Sequence, residues 1–511
     1  MGKIDEIQEL CKQFDEATIN NDSQKLASLI DEIEKDIENH DVLYKAALYY
    51  SLATATFNLW EIEHKDCDCG CDQESIQKQL YFYRKAIDLF EDDSFREESE
   101  NGYIISLMAN TYINYGNTLE ACGRKLLAIG QYYRALSIYP DHPMALGNLG
   151  SSLLHYSIFL PNNKDYVRDC INYYAVHLLE KAVASEDQNI FDDAREFFIA
   201  RLNSLATEYK EFLHKDIEFC SVGRMSKKEQ SYREWCIDLG LFISPLSDLP
   251  CDNLSFAIDD MCLPELLTPV HEEIPIVIGM FNQLKQEYIS ARYTYYETID
   301  LRDKPHFSDK KTAIIDTLEY AQFSLRVEKL KTSFKTLYGI LDKVAYFLNA
   351  YFNLGIKPKA VNFTNVWQRI RKPNKNGTEY ECALDTSSNF ALSALYWIQC
   401  EFEKSEDRYA SPKLRKLKEI RNFLEHKYTI VTMFPNEALK HADDEVALYI
   451  TEQELSELTL ELMKLVREAI ICIALCVNVE EMKRYKQLKL NNDSLLTIPM
   501  FVRELDDEFK I

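Results

Sequence analysis

Apolar residues recur at three- and four-residue intervals along most of the 511-residue chain, the period of a helix with one buried face. The rhythm is clearest at about 282–300, 311–354, 389–405, 411–430 and 452–486, and each run predicts an amphipathic helix. Residues 1–215 are helical in pattern too. Between these halves, over 216–280, the period weakens and Pro245, Pro250, Pro264, Pro269 and Pro275 interrupt the chain. That stretch contains SYREWCIDLGLFISPLSDLPCDNLSFAIDDMCLPELL, too apolar for a disordered linker, and reads as an ordered connector where two domains join. The pattern predicts an all-α fold with a helical region at 1–215, the connector at 216–280, a helical bundle at 281–490 and a tail at 491–511.

The N-terminal region has an internal period. Gly116, Ala128, Tyr132, Ala135 and Pro140 follow one another at intervals of 12, 4, 3 and 5. In order they are small, small, aromatic, small and proline, which resembles the 34-residue tetratricopeptide pattern. Two small residues let paired helices approach, Tyr132 fills the gap and Pro140 ends the second helix. Leu149-Gly150 falls 34 residues after Tyr115-Gly116, with Leu179 and Ala182 completing that unit after an insertion. An earlier unit has Leu52-Ala53 and, after another insertion, Tyr83 with Ala86. The resemblance implies a solenoid whose concave surface takes a peptide or protein partner. A generic helical bundle is the alternative.

Composition narrows the chemistry. With 58 Lys+Arg against 83 Asp+Glu the chain carries −25, which excludes a general DNA-coating protein. Glycine and proline number 14 each, in keeping with long helices, and neither G-x-x-x-x-G-K-[ST] nor G-x-G-x-x-G occurs. A nucleic-acid site must be a basic island, and there are two. Residues 356–377 hold Lys357, Lys359, Arg369, Arg371, Lys372 and Lys375 and no acid, a net +6. Phe363 and Trp367 in that segment are candidates to stack on unpaired bases. A solvated connection between helices is the competing reading. Residues 411–428 hold six bases and two acids, a net +4. Residues 1–45, with 12 acids and 5 bases, repel RNA and suit a protein partner better.

The opening MGKIDEIQEL is charged from its third residue and offers no signal-peptide core, nor a Ser or Thr at the sixth position for myristoylation. The longest apolar run, Ala469–Val477, falls well short of the ~20 residues a membrane helix needs. A cytoplasmic protein without a membrane partner is expected. Of 14 cysteines most stand singly in helical patterns, as Cys122, Cys170, Cys400, Cys472 and Cys476 do, and read as reduced thiols. Cys67, Cys69 and Cys71, near His64, depart from the C-x₂₋₄-C spacing of structural zinc sites. An inert or redox-active loop is preferred there to a soft-metal clasp. Asp252, Asp259 and Asp260 read as solvated turn carboxylates, so no metal and no cofactor are assigned.

The chemistry-bearing helix is SPKLRKLKEIRNFLEHKY, residues 411–428, with Ser411 as N-cap and Pro412 at the first helical position. Leu414, Leu417, Leu424 and Tyr428 form one apolar stripe, and Arg421 fills its gap. An arginine on a buried face needs a partner or a task. The surrounding Arg421-Asn422-x-x-x-His426-Lys427-Tyr428 resembles the R-x₄₋₆-H motif of HEPN-superfamily ribonucleases, all-α bundles with the motif on a late helix. The runs YREWCIDLGLFISPLSDL, FNQLKQEYISARY and LRKLKEIRNFLEHKY extend the resemblance to a bacterial branch with tetratricopeptide-like N-termini.

That resemblance implies a metal-independent endoribonuclease of the toxin or antiviral-defence type. Histidine suits proton transfer near neutrality and a guanidinium suits a phosphate. His426 is therefore expected as general base and acid, Arg421 as phosphate clamp, and Asn422 as the residue that orients the phosphate or His426. Lys418, Lys427, Arg369, Arg371, Lys372 and Trp367 are the expected RNA contacts. In HEPN toxins the tyrosine of R-x₄-H-x-Y is nucleotidylated by a partner, which makes Tyr428 a candidate modification site. Five residues of helix turn through about 500°, leaving Arg421 and His426 about 140° apart. Either the helix is distorted or two chains share the site, and the resemblance implies a homodimer or higher oligomer. Against catalysis stand an Arg421–Glu425 ion pair and a His426 favoured by the helix dipole. On that view the bundle is an inactive scaffold that binds nucleotide or protein.

Overall fold

The computed structural model describes residues 3–65, 72–97, 100–161, 165–187, 189–215, 217–219, 222–267, 275–301, 305–316, 318, 320–370, 380–382, 384–403, 409, 412–435, 446–490 and 507. The chain divides into two compact units. One comprises 1–158, 167–218 and 400–415, and the other 159–166, 219–399 and 416–511.

The first unit is built from α1 (Lys3–Ile19), α2 (Ser23–Asp36), α3 (Val42–Glu63), α4 (Gln73–Leu89), the short α5 (Asp93–Glu97), α6 (Gly102–Ala121), α7 (Lys125–Ile138), α8 (Pro143–Ile158), α9 (Asp165–Val183), α10 (Asp192–Asn203) and α11 (Thr207–Leu213). Asp41, Asp72 and Asn101 cap α3, α4 and α6 by accepting from the backbone N–H groups of Tyr44, Ser75 and Tyr103. Successive helices pack as hairpins, α3 on α4 and α6 on α7. The glycines explain how closely. A Cβ at Gly116 of α6 would lie 2.5 Å from Cε1 of the buried Tyr132 on α7. One at Gly150 of α8 would lie 2.7 Å from Leu179 Cγ and 2.9 Å from the Ala175 carbonyl oxygen of α9. Alanine is intrinsically the better helix former. Gly150→Ala is nevertheless expected to lower stability by about 1–3 kcal/mol through overpacking against that carbonyl. A melting temperature equal to or above that of wild type would contradict this.

The last stretch of this unit, 400–415, comes from late in the chain. The Glu401 side chain is 7% exposed and pairs with Arg84 of α4 and with the buried Arg124, 3.0 Å away at the start of α7. The Tyr409 hydroxyl donates to Glu34 at 3.0 Å, and its ring packs edge-on against Tyr81 and Phe82.

The second unit contains α12 (Lys227–Asp238), α13 (Ile276–Asp300), α14 (Leu325–Tyr351), β1 (Gln368–Ile370), β2 (Tyr380–Cys382), α15 (Phe390–Glu403), α16 (Pro412–His426), β3 (Tyr428–Thr432), β4 (Ala447–Thr451) and α17 (Glu452–Leu490). The ends of α15 and α16 are counted with the first unit. Lys329 pairs with Glu297 and Lys343 with Glu287, so α13 and α14 run antiparallel. Arg326 pairs with Glu452 and Tyr351 with Glu481, so α17 runs alongside α14. Residues 469–477 of α17 are buried throughout, so the longest apolar run of the chain is the bundle's central helix. Among the described residues no helix is long and apolar enough to cross a membrane.

From Phe219 on, the connector segment is counted with the second unit. Leu241, Phe242, Ile243, Leu246 and Phe256 are buried. Arg292 of α13 forks onto Asp259 at 2.7 and 2.9 Å, and Arg467 of α17 onto Asp248 at 2.7 and 3.0 Å. Asp259 is thus an ion-pair partner rather than a solvated turn carboxylate.

The fold is all-α, with departures from the expected helix ends. The run at 311–354 becomes helical only at Leu325, after the Ser324 cap. Lys311, Leu318 and Tyr320 before it adopt positive φ. The run at 411–430 stops at His426, and Tyr428–Thr432 is a strand paired in parallel with Ala447–Thr451. The sequence YTIVT explains this, because four β-branched residues in succession disfavour a helix and fit a pleated strand. Ala321 bridges Thr432 on the other side of the strand.

Candidate active site

α16 starts at Pro412, as a proline at the first position predicts, and runs unbroken to His426. Ser411 lies outside the described residues. Leu417, Ile420 and Phe423 are the buried side chains of this helix, while Leu414, Arg421 and Leu424 are half-buried. The core-facing line is therefore rotated from the expected Leu414-Leu417-Leu424-Tyr428 stripe. Arg421 sits at its margin, and Tyr428 is 71% exposed on β3. Asn422, Glu425 and His426 are exposed.

Arg421 is surrounded by four groups. Its guanidinium carbon stands 5.6 Å from the centroid of the Tyr338 ring on α14. Its Nη2 is 3.8 Å from Asp342 Oδ2 of the same helix and 3.6 Å from Glu425 Oε2. Its Nη1 donates to Asn422 Oδ1 at 3.2 Å. Nε is buried without a hydrogen-bond partner among the described residues. Burial pushes the Asp342 carboxyl above its ordinary range, with Arg421 opposing and Glu425 adding to the rise. Burial likewise pushes the Tyr338 hydroxyl up to about 12, helped by the Asp342 charge and opposed by Arg421.

His426 ends the helix, two-thirds exposed, with Nε2 4.0 Å from Glu425 Oε2. Because α16 is not distorted, its geometry keeps Arg421 and His426 about 140° apart. The Arg421–Glu425 pair weighed from the sequence is present.

A model of one protein family matches here. Residues 269–480 match the family described as LA2681-like HEPN. This supports a HEPN-superfamily assignment for that segment, which holds α13 to α16, both strand pairs and most of α17. The match does not extend to residues 1–268. No curated protein and no solved structure matches the chain.

The remaining expected contacts divide. Lys418 and Lys427 are exposed on and beside the motif helix, and Lys418 makes no ion pair among the described residues. Lys427 Nζ lies 4.7 Å from the centroid of the Phe423 ring. Trp367 corrects the expectation. It is 2% exposed and packs edge-on against Tyr396, with Phe363 buried beside it, so neither ring faces a nucleic acid. An indole packed among other aromatic rings gains more from burial than from water. Arg369 stands opposite Glu381 in the β1–β2 pair, and Arg371 and Lys372 lie outside the described residues.

Cys67, Cys69 and Cys71 also lie outside them. Among the described residues no group of three His, Cys, Asp or Glu is placed to hold a metal. Among the described residues nine cysteines are free thiols, six of them buried. Tyr338 and Asp342 were not read from the sequence. They lie about eighty residues before Arg421, and only their i, i+4 spacing on one face of α14 marks them.

Proposed function

We propose that this protein is a metal-independent endoribonuclease of the HEPN type. The observation that carries the reading is an intact Arg421-Asn422-x-x-x-His426 set on the margin and exposed end of one helix, within the segment that matches a HEPN family. The ribose 2′-oxygen attacks the adjacent phosphorus, and the bond from phosphorus to the 5′-oxygen breaks. His426 takes the 2′-hydroxyl proton and gives it up to the leaving 5′-oxygen, and the guanidinium carries the charge that builds on the phosphoryl oxygens. The products are a 2′,3′-cyclic phosphate and a 5′-hydroxyl.

Side chains diverging around a straight helix call for a site shared between two chains. In this reading Asn422 orients the phosphate or the histidine, and Lys418 and Lys427 hold the RNA backbone. Tyr428, exposed just beyond the motif, is the place for a regulatory modification. Residues 1–215 form a tetratricopeptide-like repeat that docks a peptide or protein partner, and the whole acts in the cytoplasm as a toxin or antiviral effector.

One observation favours a second reading. Arg421 is already flanked by Asp342 and Glu425 within its own chain, as a structural arginine would be. The bundle would then bind nucleotide or protein without cutting. The deciding experiment is RNA cleavage in EDTA by wild type beside His426→Ala and Arg421→Ala, with the product ends identified. Cyclic phosphate ends from wild type alone support the nuclease. Equal cutting by all three removes this site assignment, and no cutting under any condition favours the scaffold.

A further inference from the structure

We propose that Tyr338 and Asp342, four residues apart on α14, are positioning residues that hold the Arg421 guanidinium open for a phosphate. The inference rests on the nuclease reading above and deepens it. Its basis is a contrast between arginines of the same unit. Arg292 closes a bidentate fork on Asp259 at 2.7 and 2.9 Å and also donates to Tyr232 and the Leu241 carbonyl. Arg467 does the same on Asp248, with further bonds to the Phe242 and Ser244 carbonyls. These are satisfied, structural arginines, with contacts at the length of charge-assisted hydrogen bonds.

Arg421 is held differently. Its carboxylates stand off at 3.6 and 3.8 Å, beyond hydrogen-bond length, on the same nitrogen. One hydrogen bond, to Asn422, is made out of five N–H donors. The Tyr338 ring supports the flat cation without using any donor. The guanidinium is thus held by a π face and two nearby negative charges, while neither terminal nitrogen closes a hydrogen bond with a carboxylate. A phosphate arriving there breaks no carboxylate hydrogen bond.

The carboxylate at 342 is also kept where it is unfavourable. Burial raises its carboxyl, so the charged form is harder to keep in the fold than in the unfolded chain. A group of that sign contributes stability below its unfolded-state pKa and loses it as pH rises through its folded one. At neutral pH a neutral amide at 342 should therefore leave stability unchanged or higher. A residue retained for stability would show the reverse.

The test is steady-state RNA cleavage in EDTA, with melting temperatures at pH 7, for wild type, Asp342→Asn, Tyr338→Phe and Tyr338→Leu. His426→Ala and Arg421→Ala are run as controls. Asp342→Asn and Tyr338→Leu are expected to lose ~10–100-fold in kcat/KM, the scale of a misplaced catalytic group. Asp342→Asn should melt no lower than wild type, and Tyr338→Phe, which keeps the ring, should cut like wild type. The same proteins are titrated with a 2′-O-methyl oligonucleotide, which binds without being cut, so the result does not depend on turnover. There Asp342→Asn and Tyr338→Leu should weaken binding in the direction of Arg421→Ala. Inactive controls beside fully active Asp342→Asn and Tyr338→Leu overturn the positioning role alone. Controls that cut like wild type overturn the nuclease reading itself. A fall in melting temperature that matches the fall in kcat/KM for Asp342→Asn makes that residue structural.

Discussion

His426→Ala is expected to lower metal-free RNA cleavage by about 10²–10⁴-fold, the usual contribution of a positioned general acid or base. Arg421→Ala should cost about 10²–10³-fold, as loss of a charge-stabilising donor does. Neither change should disturb folding much. His426 is two-thirds exposed at a helix end, and Arg421 closes no hydrogen bond with a carboxylate. The two losses therefore reflect chemistry rather than unfolding, which melting curves can check.

A mixing experiment adds a sharper test. If one site takes Arg421 from one chain and His426 from the other, combining the two inactive variants leaves one intact site in each mixed dimer. Part of the activity should then return on mixing. Activity that stays absent after subunit exchange would show that both residues act within one chain, and α16 would have to distort on binding RNA.

The second large effect is on stability. Glu401→Ala is expected to destabilise the protein by about 3–5 kcal/mol, the scale found when one partner of a buried ion pair is removed. Its carboxylate is 7% exposed and lies between Arg84 and Arg124, the latter side chain 3% exposed. Without it two like charges remain desolvated and close together. Arg84 also donates to the Tyr115 hydroxyl at 2.9 Å, a bond too weak to offset a lost charge partner.

The pH dependence has a definite sign. Burial pushes the Glu401 carboxyl up, but Arg84 and Arg124 together outweigh it and leave the group below its ordinary range. A depressed carboxylate contributes stability above its unfolded pKa and loses it as pH falls through the folded one. The stability gap between wild type and Glu401→Ala should thus narrow as the solution is acidified below the usual carboxylate range. Thermal melts from neutral to acidic pH would show it, and a gap that widens on acidification would rule the explanation out.

One residue and one strand show where sequence reasoning misled. Trp367 stands in a run with six basic residues and no acid, and linear charge made it a candidate for stacking. The fold turns its ring into the core beside Phe363 and Tyr396. Linear proximity to lysine and arginine places a side chain in a segment but does not say which way it faces. The strand at 428–432 was legible in YTIVT, yet the apolar period of the preceding helix was carried across it. Its parallel partner starts 19 residues on, at Ala447, and no local signal links the two.

The all-α class followed from periodicity alone, because a 3.6-residue apolar repeat has no other stable solution. Pro412 marked the start of the motif helix, and the spacing of Arg421 and His426 set their divergence, since both depend only on local backbone geometry. The glycine spacing likewise announced close helix approach at Gly116 and Gly150. What surrounds Arg421 was not available at that level. Tyr338 and Asp342 reach it only because α14 and α16 meet, and Glu401 finds Arg84 and Arg124 from some three hundred residues away. Local propensity decides which residues are helical and which face is apolar. Which charges end up side by side depends on how those faces close on one another, and the energy of each pair, set by its burial, exists only after they have.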